Sequence, residues 1–334
     1  MKPVLAITMG DFNGVGPEIV LKSVNLSEIR SICVPVVVGS LDVFEYYAVK
    51  LRLRMDFKEI DSIPLKNING IIPVFHLRKF QKPRVNPGML RREAGEFAGD
   101  SLIVAADLAK RKFVDGVVTA PVSKEALKLG GYNFKGQTEI LSDYCRVRNN
   151  LMLFTAKNMK VGLATTHLPL SRVSSQISKK YILDKIVILQ SSLKNDFGIR
   201  FPVIDVLGLN PHAGEGNLLG MEERESIIPS VREARRRKIN VRGPFPADAY
   251  FGSFHAGSSD AILALYHDQG LIPFKMLNFD SGVNFTAGLP IVRTSPDHGT
   301  AFGIAAKGIA SPESMIQAIR TAVRIINNRK RRRS

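Results

Sequence analysis

Four of the six histidines follow short segments that have the pattern of buried strands. These histidines are His167, His212, His267 and His298. Neutral imidazole is a common metal ligand, and three imidazoles with one open coordination position suit a Lewis-acid site. The spacings are long and match no short metal motif, so two interpretations stay open here: a metal site, or histidines that are structural or exposed.

Basic and amide side chains lie in the same part of the sequence as the last two of these histidines. Lys275, Asn284 and Arg293, together with Thr138, would suit a phosphate or carboxylate group. Each of them could equally be an ordinary surface residue. Asp248, in a proline-rich loop, is a candidate acid or base, and its alternative role is in a turn or a helix cap.

The segments that would position these residues alternate between strand and helix patterns. Apolar runs typical of buried strands occur at residues 4–9, 34–38, 114–118, 160–165, 201–207, 261–266 and 288–292. Apolar residues at helical spacing occur at residues 93–110, 181–193, 221–237 and 308–328. The alternation predicts an α/β fold with largely parallel sheets, in which ligands bind beyond the carboxyl ends of the strands.

The loop after the first strand pattern is rich in glycine. Residues 10–16 read GDFNGVG, and Pro17 then suits the first position of a helix. Such a loop can place backbone N–H groups around an anion, or it can be a plain tight turn. Its spacing is not GxGxxG, so it is not a dinucleotide fingerprint.

Length and composition indicate a folded globular protein of two domains. The chain has 334 residues, and its hydrophobic share is 45%. No apolar run approaches the roughly 20 residues of a membrane span, and the N-terminus lacks the pattern of a signal peptide. Cys33 and Cys145 fit neither a disulfide framework nor a zinc site, so we expect a cytoplasmic protein with reduced thiols.

The formal net charge is +17, and part of it is clustered at residues 235–238 and 329–333. We expect a solvated helix end at the first cluster and a frayed, dispensable tail at the second. No nucleic-acid motif accompanies them, so nucleic-acid binding is not expected. A positive field would also favour a phosphorylated substrate.

Longer motifs occur in a fixed order over nearly the whole chain. They are MGDFNGVGPEI at 9–19, TAPVSKEAL at 119–127, TTHLPL at 165–170, GLNPHAGEGNLLGMEE at 208–223, GPFPAD at 243–248, YHDQGLIPFK at 266–275, GVNFTAGLP at 282–290 and RTSPDHGTAFGIAAKG at 293–308. In these motifs the chain resembles the 4-hydroxythreonine-4-phosphate dehydrogenase family of pyridoxine biosynthesis.

The resemblance implies a fold, a reaction and an assembly. The fold would be two α/β/α domains like those of isopropylmalate and isocitrate dehydrogenases, with the active site in the interdomain cleft of a homodimer and completed by the partner subunit. The reaction would be the oxidation of 4-phosphohydroxy-L-threonine to 2-amino-3-oxo-4-phosphooxybutanoate, which decarboxylates to 3-amino-2-oxopropyl phosphate. The cofactors would be NAD or NADP and one divalent ion per subunit, either Zn, Mg or Co.

The resemblance also implies a role for each motif residue. The metal ligands would be His167, His212 and His267. The substrate-binding residues would be Gln137, Thr138, Lys275, Asn284 and Arg293. The cofactor-binding residues would be His298 and Gly299, in a loop that looks like a dinucleotide-binding loop. Separately from the resemblance, Asp248 is our own candidate for handling a proton.

A break in the sequence also suggests a domain boundary. We expect one domain at residues 1–130 plus 305–334, with the chain termini and the dinucleotide contacts. The other would be residues 131–304, with the metal ligands, the substrate residues and the dimer contacts. The boundary is placed at the break expected from Gly130-Gly131.

Two positions depart from the family pattern. Gln137 stands where the family has a substrate-binding His; Gln can donate a hydrogen bond but cannot carry a proton. Phe12-Asn13 stands where Pro-Ala is usual. The alternatives are therefore a family member acting on threonate or erythronate 4-phosphate or on a cis-dihydrodiol, or a catalytically silent binding protein.

Overall fold

The computed structural model describes residues 2–63, 70–77, 83–157, 159–253 and 258–332. The chain forms two compact units. The first unit consists of residues 1–148 and 289–327, and the second of residues 149–288 and 328–334. Arg333, within the tail expected from the sequence, lies outside the described residues.

The first unit is built on a parallel sheet. Its strands are β1 (Val4–Thr8), β2 (Val34–Gly39), β3 (Phe57–Ile60), β4 (Ile72–His76), β5 (Gly116–Thr119) and β12 (Arg293–Pro296). Its helices are α1 (Gly16–Val24), α2 (Ser27–Ile32), α3 (Leu41–Lys50), α4 (Arg92–Lys110), α5 (Lys124–Leu129), α6 (Gln137–Tyr144) and most of α12 (Glu313–Arg331). The strand order is β3-β4-β2-β1-β5-β12, with parallel pairing throughout the described residues.

The second unit has a mixed sheet. Its strands are β6 (Leu151–Ala156), β7 (Met159–Leu163), β8 (Val203–Leu207), β9 (Asn240–Phe245), β10 (Ala261–Ala264) and β11 (Val283–Ala287). Its helices are α7 (Val173–Gln176), α8 (Lys179–Asn195), α9 (Ile228–Arg236), α10 (Ala247–Gly252) and α11 (His267–Asn278). In the order β11-β6-β7-β10-β8-β9, β6 runs antiparallel to both its neighbours and the other pairs are parallel.

The α/β prediction with largely parallel sheets is confirmed. The strands β1 and β2 are apolar almost throughout and buried, as expected of parallel strands whose two faces are both covered. Within the part of the chain that the structure describes, no helix combines the length and the apolarity needed to cross a bilayer.

The unit boundaries differ from those expected at 130/131 and 304/305. In the structure they fall at 148/149 and 288/289. The reason is packing: α6 lies against α4, and β12 pairs with β5, so both α6 and β12 belong to the first unit.

The glycines of the first loop permit close approach of backbone segments. A Cβ on Gly10 would lie 2.4 Å from the carbonyl oxygen of Pro121, and one on Gly16 would lie 2.4 Å from that of Met9. Residues 10–18 are all buried. The loop is therefore a packed tight turn, and its buried backbone offers no open cradle for an anion.

Helix α11 is an element that the sequence patterns did not predict. It contains Gly270 and Pro273, which both disfavour a helix interior. Burial of Phe274 against Phe154, with ring centroids 5.8 Å apart, stabilises it on the sheet. Gly270 is required there, because a Cβ would lie 2.7 Å from the side chain of Val161.

The basic C-terminal segment is not frayed, which corrects the expectation from the sequence. Helix α12 runs through Arg331. Arg329 Nε donates to Asp196 Oδ1 at 2.6 Å, and Asn328 Nδ2 donates to the carbonyl oxygen of Asp196 at 2.9 Å. Asp196 is buried, so the helix end is attached by a largely buried ion pair.

We predict that Arg329→Ala lowers the free energy of unfolding by about 1–3 kcal/mol, because it leaves the buried carboxylate of Asp196 without its cation. The matched control is Arg320→Ala, which breaks an exposed pair with Glu28 and should cost less than about 0.5 kcal/mol. Urea unfolding of both variants measures the difference. Equal effects of the two substitutions would contradict the buried-pair interpretation.

Asp11 is a buried acid in the first loop. Its Oδ1 accepts the N–H of Asn13 at 2.9 Å, while Oδ2 has no hydrogen-bond partner among the described residues. Burial raises the pKa of Asp11 from its ordinary value of 3.8 to about 6, although the N–H groups of Asn13 and Gly14 act to lower the pKa. Between pH 3.8 and about pH 6, the Asp11 carboxyl group is therefore mostly neutral in the folded protein, whereas in the unfolded chain it is mostly ionised.

The contribution of neutral Asp11 to the free energy of unfolding is fully present below pH 3.8. It is lost as the pH rises through about 6, because the buried carboxyl group then ionises. The amide of the Asp11→Asn variant is neutral at every pH, so this variant does not lose that stability as the pH rises. We predict that the variant gains stability relative to wild type between pH 4 and pH 7.5, by up to about 3 kcal/mol. Denaturant unfolding at the two pH values checks this, with Asp280→Asn as an exposed control. A stability difference that does not grow with pH would disprove the assignment.

Candidate functional site

Three of the singled-out histidines follow three adjacent parallel strands of the second unit. His167 follows β7, His267 follows β10 as the first residue of α11, and His212 follows β8. Strand β10 pairs in parallel with both β7 and β8. The chain therefore leaves these strands at one edge of the sheet, where ligands bind in folds of this type.

His167 and His267 lie together. Their ring centroids are 6.1 Å apart, and both line a cavity of about 330 Å³. His267 Nδ1 lies 2.6 Å from Oδ1 of Asp268, which fixes the ring and leaves Nε2 as the nitrogen able to bind a ligand. Asp268 lines the same cavity, and its role was not recognised from the sequence, where it is simply the residue after a candidate ligand.

His212 lies on a left-handed turn. The segment Pro211–Asn217 has positive φ at several positions, including 51° at His212, 52° at Ala213 and 42° at Glu215. For a residue other than glycine, this conformation costs roughly 1–2 kcal/mol. The turn therefore needs contacts that offset its strain.

The buried Glu223 anchors the two residues that lead into this turn. Its Oε1 accepts the backbone N–H groups of Leu209 and Asn210 at 2.7 and 2.8 Å, and its Oε2 accepts Nδ2 of Asn210 at 2.9 Å. Glu222 accepts from the same amide and from Ser174, and these donors, Ser174 first, lower the pKa of Glu222. The two acidic residues at the end of the 208–223 motif therefore hold the loop of His212 in place.

The residues described in one chain do not form a complete metal site. Among them, no group of three or more His, Cys, Asp or Glu side chains is arranged to hold a metal ion. His167 and His267 fit two positions of an imidazole site, whereas His212 is not grouped with them. The pair fits a metal in its ligand chemistry, and an ion bound there would need further ligands beyond these two side chains.

The first unit contains a buried guanidinium. Arg293 is the first residue of β12, which corrects the expectation that it follows a strand at 288–292. It donates to Thr119 Oγ1 at 2.8 and 3.1 Å, to Gln137 Oε1 at 3.0 Å and to Thr138 Oγ1 at 3.3 Å. Burial lowers the pKa of Arg293 to about 10, with Glu139 acting in the opposite direction, so the group stays charged at neutral pH.

Gln137 connects this guanidinium to the end of β5. Its Oε1 accepts from Arg293, and its Nε2 donates to the carbonyl oxygen of Ala120 at 3.1 Å. Gln137 and Thr138 are the first two residues of α6, whose N-terminus carries a partial positive charge. Gln137, Thr138 and Arg293 therefore form a positively polarised cluster in which Gln137 already has two protein partners.

The remaining candidates are spread over the second unit. Lys275 is a half-buried residue of α11, and Asn284 lies on β11 with its Oδ1 buried and without a hydrogen-bond partner among the described residues. Asp248 is exposed in the first turn of α10. That helix is attached to the sheet because Tyr250 donates its hydroxyl to Asp205 Oδ2 at 2.8 Å.

His298 and Gly299 lie on an exposed loop of the first unit. His298 Nδ1 is 3.0 Å from the carbonyl oxygen of Gly299. The loop is anchored on the first loop, because the N–H of Val15 donates to the carbonyl oxygen of Thr300 at 2.9 Å. A Cβ on Gly14 would lie 2.8 Å from the same oxygen, so this packing requires glycine.

Comparison with known proteins identifies relatives of nearly the same length. A 4-hydroxythreonine-4-phosphate dehydrogenase of Bacteroides thetaiotaomicron is 40% identical over 336 residues, covering 99% of this chain and 90% of the relative. A protein of Oceanobacillus iheyensis, provisionally named D-threonate 4-phosphate dehydrogenase, is 39% identical over 327 residues, covering 97% and 98%.

The fold is shared with a solved relative as well. The crystal structure of the 4-hydroxythreonine-4-phosphate dehydrogenase from Klebsiella pneumoniae superposes with a TM-score of 0.85 at 35% identity, covering 98% of both chains. The sequence model of the family described as Pyridoxal phosphate biosynthetic protein PdxA matches residues 31–322. Since sequence and fold agree over almost the full length, the chain belongs to the Pyridoxal phosphate biosynthetic protein PdxA family.

Proposed function

We propose that this chain is an NAD(P)- and divalent-metal-dependent dehydrogenase that oxidises 4-phosphohydroxy-L-threonine in pyridoxal phosphate biosynthesis. The observation that carries the proposal is about 40% identity, over nearly the full chain, to relatives that bear this enzyme name. The product is 2-amino-3-oxo-4-phosphooxybutanoate, a β-keto acid that loses carbon dioxide to give 3-amino-2-oxopropyl phosphate.

Arg293 and the N-terminus of α6 would suit the phosphate group of the substrate. The N-terminus of α6 and the charge of Arg293 combine at Gln137 and Thr138, and both favour an anion. Because Arg293 is already bonded to protein oxygens, it acts mainly as a fixed positive charge. Gln137 and Thr138 present the polar groups nearest to it.

The paired histidines would suit the reacting part of the substrate. His167 and the Nε2 atom of His267 would hold the divalent ion, and imidazole ligands favour Zn or Co over Mg. Such an ion would lower the pKa of the substrate hydroxyl, while NAD or NADP, next to His298 and Gly299, would accept the hydride. Lys275 and Asn284 would bind the substrate.

Proton handling is assigned to Asp248. It is exposed in the first turn of α10, where a carboxylate can exchange protons with solvent and with substrate. The attachment of α10 through Tyr250 to the buried Asp205 fixes its position.

A homodimer would complete the site. Helix α11 exposes the apolar side chains of Ile272 (58% exposed) and Met276 (80%), and Phe279 (78%), directly after its last residue, continues this apolar face. Large apolar side chains exposed in a row on one helix are typical of a protein interface. The same helix begins at His267, so a second copy docked on this face would approach the two paired histidines and could contribute its own His212 as the third ligand.

We predict that a heterodimer of one His167→Ala chain and one His212→Ala chain retains about half the metal and half the activity of wild type, because one of its two symmetric sites is intact. The control heterodimer combines His167→Ala with His267→Ala and should retain neither. Differently tagged chains, co-expressed and purified, allow both measurements. No recovery in either pairing would place all three ligands within one chain, whereas recovery in the control alone would make His267 the ligand from the partner subunit.

The substrate is tested through Gln137. In Gln137→Ala the Arg293 donor loses an acceptor, and we predict at least about a tenfold rise in KM for 4-phosphohydroxy-L-threonine. In Gln137→His a neutral imidazole can accept from Arg293 and donate to Ala120, so KM should change little. NADH absorbance over a substrate panel measures both.

A second candidate substrate is D-threonate 4-phosphate. The Oceanobacillus iheyensis relative carries that name provisionally, and it is almost as similar to this chain as the Bacteroides relative. Turnover of D-threonate 4-phosphate, with none of 4-phosphohydroxy-L-threonine in wild type or Gln137→His, would transfer the assignment to it. Binding of these compounds without any turnover would indicate a catalytically silent protein.

We also propose a cytoplasmic location. Cys33 and Cys145 are both free and buried, which suits a reducing compartment.

A further inference from the structure

The side chain of Asn13 is buried and bridges the first loop to a turn at residues 86–89. Its Oδ1 accepts a hydrogen bond from the backbone N–H of Asn86 at 2.8 Å, and its Nδ2 donates to the carbonyl oxygen of Met89 at 3.0 Å. The carbonyl oxygen of Asn13 accepts a third bond, from the N–H of Gly88 at 2.7 Å. One residue therefore holds both ends and the middle of the turn.

The turn has the features of a type II β-turn. The N–H of Met89 donates to the carbonyl oxygen of Asn86 at 3.1 Å, Pro87 occupies the second position, and Gly88 occupies the third with φ +85°. Proline and glycine thus restrict the shape of the turn locally. What Asn13 adds is its attachment to the first loop.

The attached turn lies against the loop of residues 298–302. A Cβ on Gly88 would lie 3.1 Å from the carbonyl oxygen of Phe302, so the two backbones are in contact. The first loop bonds to the same loop through Val15 and Thr300. The three segments form one cluster within the first unit, and the exposed part of residues 298–302 is its outer edge.

An alanine at position 13 would keep the carbonyl oxygen that accepts from Gly88 but could form neither of the two amide bonds. We propose that Asn13 is a positioning residue for the dinucleotide. Its two amide hydrogen bonds, which we call the latch, attach turn 86–89 to the first loop. The attached turn holds residues 298–302 in the conformation that binds NAD or NADP. This inference rests on the proposed dehydrogenase function and assigns a cofactor-affinity role to a residue outside the ligand and substrate sets.

The test compares Asn13→Ala with Asn86→Ala in the full-length enzyme. The first removes both amide bonds of the latch. The second removes an exposed amide from the same turn but keeps the backbone N–H that Asn13 binds, so it is the matched control. We expect Asn13→Ala to raise KM for the dinucleotide roughly five- to thirtyfold, with KM for the phosphorylated substrate and kcat at saturation within about twofold of wild type. Asn86→Ala should match wild type.

Hydrogen–deuterium exchange without cofactor provides the second measurement. Residues 84–91 should exchange faster in Asn13→Ala, whereas the second unit should be unaffected. Faster exchange with unchanged dinucleotide KM would overturn the cofactor role. Equal rises in both KM values, or a rise in Asn86→Ala, would show a merely structural role. A wild type that oxidises no substrate with NAD or NADP would instead refute the proposed function.

Discussion

A buried positive charge is the constraint on which the first unit depends. A charge withdrawn from water is tolerated only when its donors are bonded, and Arg293 meets this condition through side chains from β5 and α6. The end of β5, the start of α6 and the start of β12 are therefore fixed to one another by one guanidinium. Gln137 lies inside this network, so a change of this residue alters the support of the buried charge.

In the second unit, two different interactions position histidines that follow the ends of strands. His267 is fixed by being the first residue of a helix that is packed through Phe274. His212 is held in a left-handed turn by the buried carboxylate of Glu223. In the first case burial of apolar surface sets the geometry, and in the second case hydrogen bonds offset local strain.

The sequence predicted those features that depend on local pattern. Apolar runs located β1, β2, β5, β7, β8 and β10 because strands buried on both faces need them, and helical spacing located α4 and α8. The run at 288–292 was taken for a strand, but β-pairing selected the segments on either side of it, β11 and β12. Helix α11 was not predicted because Gly270 and Pro273 both have low helix propensity.

Contacts between distant residues were beyond reach of the sequence. The pairing of Arg329 with Asp196 and the latch from Asn13 to turn 86–89 join segments that carry no shared pattern. The proximity of His167 and His267 could be anticipated from strand ends, whereas the lack of a third ligand grouped with them among the described residues could not.

The division of the first unit into two stretches of chain has a consequence for synthesis. Arg293 is 174 positions beyond Thr119, and the whole of residues 149–288 is translated between them. Until β12 has been translated, one edge of β5 is unpaired. The oxygen atoms of Thr119 and Gln137 that accept from Arg293 are also without that cation. The nascent first unit is thus an incomplete sheet, exposed to wrong strand pairing while the second unit is being made. Contacts of such long range also make folding slow, so the first unit can close only after residues 289–327 have been translated.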